Sequence, residues 1–114
     1  MIVSPKRHVE RLDEFSRDER IEMFDIVDRV ISILRERGVC EFFDVIFEER
    51  AGRHLNVWVM PRHAWMLEIC EDIIENVGVV CEFAKERFRK SEMYERIDEV
   101  SKMMREGFEE KEVM

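Results

Sequence analysis

The residues of this chain that can do chemistry stand in a row between positions 54 and 60. The run reads His54-Leu55-Asn56-Val57-Trp58-Val59-Met60. Successive side chains of a β-strand point to opposite faces, so the alternation predicts a strand with His54, Asn56 and Trp58 on one face. Neighbours in that row are about 7 Å apart and can line a ligand pocket. The alternative is the solvated face of a small sheet.

A hairpin must position this row. Residues 43–48 alternate in the same way, with Phe43, Val45 and Phe47 on one face. Residues 49–53, with Gly52, form a short connection to the row, and Pro61 ends it. The sequence therefore predicts two antiparallel strands joined by a turn.

A long helix precedes the hairpin. Ser16 followed by Glu19 has the spacing of a capping box, and Gly38 suits the helix end because glycine adopts the left-handed conformation without strain. The expected apolar stripe recurs every three or four residues. Its members are Phe24, Val27, Ile31 and Leu34. Before the helix, residues 1–4 are predicted to form a short strand that ends at Pro5.

Helices are expected in the rest of the chain. Residues 79–89 carry an apolar side, and Ser91 can cap a final helix. The predicted fold class is α+β: a small antiparallel sheet with one long helix packed on it, and a helical C-terminal tail. We expect a single domain over residues 1–114, in which 1–62 form the sheet and long helix and 63–114 form the tail.

The row and its upstream partner resemble the histidine-triad (HIT) family. That family carries three histidines alternating with hydrophobic residues on one strand, then a proline and often an arginine, as in residues 54–62 here. It also carries a histidine after a Pro-Lys pair and ahead of the long helix, which corresponds to Pro5, Lys6 and His8. In the diadenosine-polyphosphate-hydrolase-like branch the third triad position can be tryptophan, as Trp58 is here. The stretch that begins at His63 looks like the tail of that branch.

The resemblance implies a HIT-like fold and a known mechanism. The middle histidine attacks the α-phosphorus of a nucleotide, and the covalent nucleotidyl-histidine is then resolved by water or another acceptor. A neutral imidazole is nucleophilic near pH 7, which suits this step. By position, His54, His8 and Trp58 would support that centre.

The position of the nucleophile is Asn56, and this is a departure from the family. The lone pair of a carboxamide nitrogen is delocalised into the carbonyl, so Asn56 cannot attack phosphorus, although it can hydrogen-bond to a phosphate. Loss of a nucleophile costs on the order of 10⁶ in rate in a well-studied hydrolase. His54 lies two residues away, too far to take over in near-attack geometry. We therefore predict no catalytic residue.

A second departure concerns the start of the chain. Family members usually place a helix and a β-hairpin ahead of the strand that leads to Pro5, and the hairpin helps to hold the nucleoside base. The chain begins at that strand, so it is expected to be N-terminally shortened relative to the family. The pocket is then either incomplete or completed by a partner subunit.

Eight side chains are predicted to bind a ligand. They are His8, His54, Asn56, Trp58, Arg62, Lys6, Arg53 and His63. For the basic residues the alternative is ordinary surface charge, and for His63 it is packing against the sheet. No cysteine or carboxylate stands at supporting ligand spacing, so no metal and no cofactor are expected.

Three functions are compatible with these residues. The first is a catalytically impaired HIT-like domain that binds a nucleotide or a small phosphate compound. The second is an active nucleotidyl or diadenosine polyphosphate hydrolase with another nucleophile. The third is a non-catalytic interaction protein.

Charge and composition indicate which partners are not expected and which cellular compartment is. The formal net charge is −8, whereas proteins that grip a nucleic-acid backbone are usually basic, so no nucleic-acid partner is expected. No apolar run approaches the roughly 20 residues that span a bilayer, and the three cysteines lack metal-ligand spacing, so we expect a reduced, cytoplasmic protein without a membrane partner. Because a short sheet leaves edges exposed, we also predict a homodimer.

Overall fold

The computed structural model describes the backbone of residues 1–113 and the side chains of residues 1–109. Its elements, in chain order, are β1 (Ile2–Val3), a 3₁₀ turn (Leu12–Glu14), α1 (Arg17–Glu36), β2 (Phe43–Glu48), β3 (Asn56–Pro61), α2 (Ala64–Ile69), α3 (Val77–Phe88) and α4 (Ser91–Val113). Three strands and four α-helices over these residues confirm the expected α+β class. The chain divides into two compact units, Met1–Pro61 and Arg62–Met114, one residue earlier than the boundary expected from the sequence.

The first unit contains the sheet, with strand order β1-β3-β2 and both pairings antiparallel. β3 is therefore the central strand. Its Trp58 lies opposite Ile2 on one side and Ile46 on the other, and Asn56 lies opposite Glu48. Directly opposed residues share a face, so the predicted hairpin and its alternation are confirmed.

The core of the first unit is built on the other face of β3. Val57 and Val59, and Leu55 just before the strand, are fully buried. Helix α1 packs on the same face of the sheet, because the Phe24 and Phe47 ring centroids are 5.5 Å apart. Phe47 lies opposite Val57 in the register. The apolar half of the alternation thus supplies the core, and the polar half faces away from α1.

Helix α1 begins and ends where its capping residues predict. The Ser16 hydroxyl accepts a hydrogen bond from the Glu19 backbone N–H, and the Glu19 carboxylate accepts one from the Ser16 backbone N–H. This reciprocal pair satisfies two of the donors that a helix start leaves unpaired. After the helix, Gly38 has a φ of 73°, the left-handed conformation that glycine adopts at low cost.

The buried stripe of α1 differs from the predicted one. Its buried members are Met23, Val27, Val30, Ile33 and Leu34. Phe24 is 61% exposed, so the prediction that it faces the core is wrong. The helix packs with its buried stripe rotated toward residue 23, and the Phe24 ring contacts Phe47 on the edge strand β2.

The prediction that the strand starts at His54 is also wrong. β3 starts at Asn56, and the two preceding residues lie outside the ladder with β1 and β2. The reason is a different backbone partner: the Leu55 N–H donates to the Val9 carbonyl at 2.6 Å. His54 therefore lies beside residues 8–10 and not beside a strand of the sheet.

The second unit is helical, as expected. Its buried side chains, among those described, are Met66, Ile73, Val80 and Met104. Trp65 on α2 contacts Phe83 and Phe88 of α3, with ring centroids 5.8 and 5.1 Å apart. No helix in the described residues combines the length and the apolar character needed to cross a bilayer.

A pair of matched substitutions in α1 tests the packing of the first unit. Ile33 is 1% exposed and Ile21 is 50% exposed. We expect Ile33→Ala to lower the free energy of unfolding by about 2–5 kcal/mol, because it removes buried methyl groups and leaves a cavity. Ile21→Ala, the same change on the exposed side, should alter it by less than about 0.5 kcal/mol. Urea denaturation measures both, and equal losses would contradict the assigned helix face.

Candidate functional site

Two histidines that are 46 positions apart in the sequence meet at the start of β3. The His8 and His54 ring centroids are 4.9 Å apart, with the rings inclined at 63° in an edge-to-face contact. The cause is the backbone: Val9 and Leu55 are hydrogen-bonded to each other and both are fully buried. With those two side chains directed into the core, the histidines beside them are exposed, on the polar side of the alternation.

Asn56 is the first residue of β3 and follows His54 by two positions, so the two side chains lie on the same side, opposite to the buried Leu55 between them. It is half-buried, and its Oδ1 atom accepts a hydrogen bond of 2.6 Å from the Ser4 hydroxyl. No hydrogen bond from its Nδ2 atom is found among the described residues. The amide N–H₂ group can therefore donate hydrogen bonds to an anionic or carbonyl oxygen of a ligand.

Trp58 continues the row in the centre of the sheet. Its side chain is half-buried, and the register puts Ile2 and Ile46 beside it. The indole Nε1 atom is buried, with no hydrogen-bond partner in the part of the chain that the structure describes. A buried N–H without an acceptor is costly, which distinguishes Trp58 from an ordinary core aromatic residue.

Glu10 joins the histidine pair, although the sequence did not single it out. His8 Nε2 and Glu10 Oε1 are 3.0 Å apart. The pKa of Glu10 is lowered by this hydrogen bond and by a second one from the backbone N–H of Gly52, at the turn between β2 and β3. Two donors on one carboxylate stabilise its ionised form, so Glu10 is a charged group beside His8.

The segment that carries His8 is also held from the helix side. Arg7 Nε and Nη2 donate to the two carboxylate oxygens of Glu19 at 2.8 and 2.9 Å, and Nη2 also donates to the Glu14 carbonyl at 2.9 Å. Glu19 is the residue that closes the capping box of α1. The start of the helix and the approach to His8 are therefore tied together by one bidentate ion pair.

The remaining predicted ligands are divided between the two units. Lys6 and Arg53 are exposed, and neither side chain makes a hydrogen bond or ion pair among the described residues. Arg62 and His63 belong to the second unit. The His63 ring stacks on Trp65 at 6.3 Å and 14°, and burial lowers the pKa of His63. The candidate site therefore consists of His8, His54, Asn56 and Trp58.

A cleft of about 530 Å³ lies elsewhere in the first unit. It is lined by Arg11, Leu12, Asp13, Arg20 and Glu49, so none of the predicted site residues borders it. Within the described residues, no group of three or more histidine, cysteine or acidic side chains is arranged to hold a metal ion.

Comparison with known proteins gives no relative: no family model, no curated protein and no solved structure matches this chain. The histidine-triad resemblance therefore rests on the motif residues of the sequence alone.

Two residues of the site, Ser4 and Glu10, were not predicted, and both had a signal in the sequence. Ser4 directly precedes Pro5, where a strand antiparallel to β3 brings it opposite Asn56. Glu10 stands two positions after His8, with the buried Val9 between them. In an extended segment, positions two apart share a side, so residues 8 and 10 repeat the alternation seen in the row from 54 to 58.

The ion pair beside His8 predicts a specific acid titration. The hydrogen bond from Arg7, followed by that from the Ser16 backbone, lowers the pKa of Glu19 from 4.5 to about 2. Since the folded-state pKa is below the unfolded one, the stability that this charge contributes is full above about pH 4.5 and is lost as pH falls through about 2. Carboxyl ¹³C titration by NMR should show the low midpoint, and Arg7→Gln should raise it toward 4.5.

A stability comparison provides the control for this titration. Glu19→Gln retains a residue type that completes a capping box but removes the charge. The stability advantage of the unsubstituted protein over this variant should shrink as pH falls from 4.5 toward 2. An unchanged Glu19 midpoint in Arg7→Gln would contradict the assigned ion pair.

Proposed function

We propose that this protein is a HIT-like domain with impaired catalysis that binds a nucleotide or a small phosphate compound. The observation that carries the proposal is the contact between the His8 and His54 rings, 4.9 Å apart, on the face that also presents Asn56. Two imidazoles and an amide N–H₂ group are donors of the kind that recognise phosphate oxygens.

The local charges are compatible with a small anionic ligand despite the net charge of −8. Glu48, which lies opposite Asn56, is paired with Arg50 at 3.1 Å, so its negative charge is partly compensated. Lys6 and Arg53 are exposed near the two ends of the His8 and His54 segments in the sequence, and long basic side chains can turn toward a bound anion. Phosphate recognition at this site therefore requires no basic surface of the extent that nucleic acids need.

Catalysis is impaired because the residue at the nucleophile position is an amide. The Ser4 hydroxyl holds Oδ1 of Asn56, and the remaining amide nitrogen can donate hydrogen bonds but has no available lone pair. The site can thus bind the ligand of a nucleotidyl transferase without forming the covalent intermediate. The homodimer stays a prediction.

Ligand binding provides the first test. Isothermal titration with AMP and with inorganic phosphate should detect binding, and His54→Ala should weaken it by about tenfold to a hundredfold, the loss expected for a hydrogen bond to a charged group. Arg96→Ala is the control, because Arg96 is an exposed cation of the second unit that pairs with Glu99. Absence of binding to AMP, ATP, diadenosine polyphosphate and phosphate would remove the proposal and favour an interaction protein.

Restoring the triad provides the second test. Asn56→His should produce hydrolysis of an adenosine phosphoramidate and a covalent adenylate on the enzyme that intact-mass spectrometry detects, because an imidazole supplies the missing nucleophile. Asn56→Gln is the matched control, since it retains an amide and should gain neither. Hydrolysis by the unsubstituted protein that His54→Ala abolishes would instead support the active hydrolase.

A further inference from the structure

We propose that Glu10 is a positioning residue that holds the His8 ring against His54 and so sets the affinity of the site without touching the ligand. The inference rests on the proposed function for the identity of that ligand. It goes beyond the proposed function because Glu10 has no counterpart among the residues that the histidine-triad resemblance assigns.

The first support is the pair of backbone hydrogen bonds that hold residues 9–10. The Glu10 carbonyl accepts a hydrogen bond from the Arg50 N–H at 3.3 Å, and the neighbouring Val9 carbonyl accepts the one from Leu55. The backbone of residues 9–10 is therefore held beside the β2–β3 connection. Because this backbone is already held, only the Glu10 side chain has to be ordered when it contacts His8.

The second support is what the Glu10 side chain contacts. Glu10 Oε1 lies 3.0 Å from His8 Nε2, and the Glu10 carboxylate also accepts a hydrogen bond from the backbone N–H of Gly52. Gly52 has a φ of 71°, a left-handed conformation that glycine adopts at low cost. The carboxylate thus connects the turn tip to the imidazole, and the imidazole in turn contacts His54.

This contact has a chemical consequence for His8. An ionised carboxylate only accepts hydrogen bonds, so the proton must lie on Nε2 of His8. Nδ1 carries the lone pair when the ring is neutral, and in the protonated ring Nδ1–H is the donor that remains for a phosphate oxygen. The His8 side chain is 57% exposed, and without Glu10 nothing else in the described residues bonds to its ring nitrogens to hold its orientation.

Charge and orientation act in opposite directions here, and this makes the inference testable. The Glu10 carboxylate is a negative charge near a site proposed to bind an anion, so its charge alone disfavours the ligand. Glu10→Gln removes that charge but retains an oxygen that can accept the Nε2 proton. Glu10→Ala removes both the charge and the acceptor.

The experiment measures inorganic phosphate affinity and ring geometry in the same three proteins. We expect Glu10→Gln to bind phosphate as well as the unsubstituted protein or up to about threefold more tightly, because a repulsive charge is gone. We expect Glu10→Ala to bind about threefold to tenfold more weakly than Glu10→Gln, because both lack the charge and only the glutamine can accept the Nε2 proton. Nuclear Overhauser contacts between the His8 and His54 ring protons should persist in Glu10→Gln and weaken in Glu10→Ala.

The outcomes separate this inference from the proposed function. Equal phosphate affinity of the two variants, together with unchanged ring contacts, overturns the positioning role. If none of the three proteins binds phosphate, the proposed function fails, while the ring contacts still decide whether Glu10 positions His8. The control is Glu22→Ala, which removes an exposed carboxylate of α1 and should leave both measurements unchanged.

Discussion

The hydrogen bond between the Leu55 N–H and the Val9 carbonyl is the constraint on which the site depends. Both residues are fully buried, and burial of a large aliphatic side chain contributes roughly 1.5–3 kcal/mol, more than a surface ion pair. The core therefore sets the position of this pair. His8 and His54 precede these two buried residues, so their side chains point away from the core and lie next to each other.

The same alternation organises the whole polar face. On β3, each residue that enters the core has a neighbour that leaves it, and the register with β1 and β2 brings Ser4 and Glu48 to Asn56. The apolar half stabilises the strand and the polar half is assembled as a result. A shift of the register by one residue would bury His54 and Asn56 and expose Leu55, so the cost of burying polar groups also protects the arrangement of the site.

The side chain at position 56 shows how a single group separates binding from chemistry. An amide and an imidazole are similar in reach, and both donate hydrogen bonds, but only a neutral imidazole offers a nucleophilic lone pair. With Oδ1 held by Ser4, Asn56 presents its donor side. The surrounding elements, which are the capped helix α1, the Arg7–Glu19 ion pair and the Val9–Leu55 pairing, do not depend on which of the two is present.

The sequence by itself determined the long helix and the β-hairpin, because their signals are local. Ser16 and Glu19 mark the start of α1 three residues apart, and Gly38 marks its end. The alternation of residues 43–48 and 54–60 is sufficient for a hairpin with its polar row on one face. Capping and strand periodicity require only neighbours within a few positions, so a single sequence contains them.

The tertiary structure decided which side chains meet. It joined His8 to His54, Ser4 to Asn56 and Glu10 to Gly52, placed Phe24 outside the core, and began β3 at Asn56. It also assigned Arg62 and His63, adjacent in sequence to the row, to a separate unit. The residues joined in this way are 42 to 52 positions apart, and their contacts depend on how a helix rotates and which backbone groups pair. These choices are set by packing of the whole unit, and no local pattern encodes them.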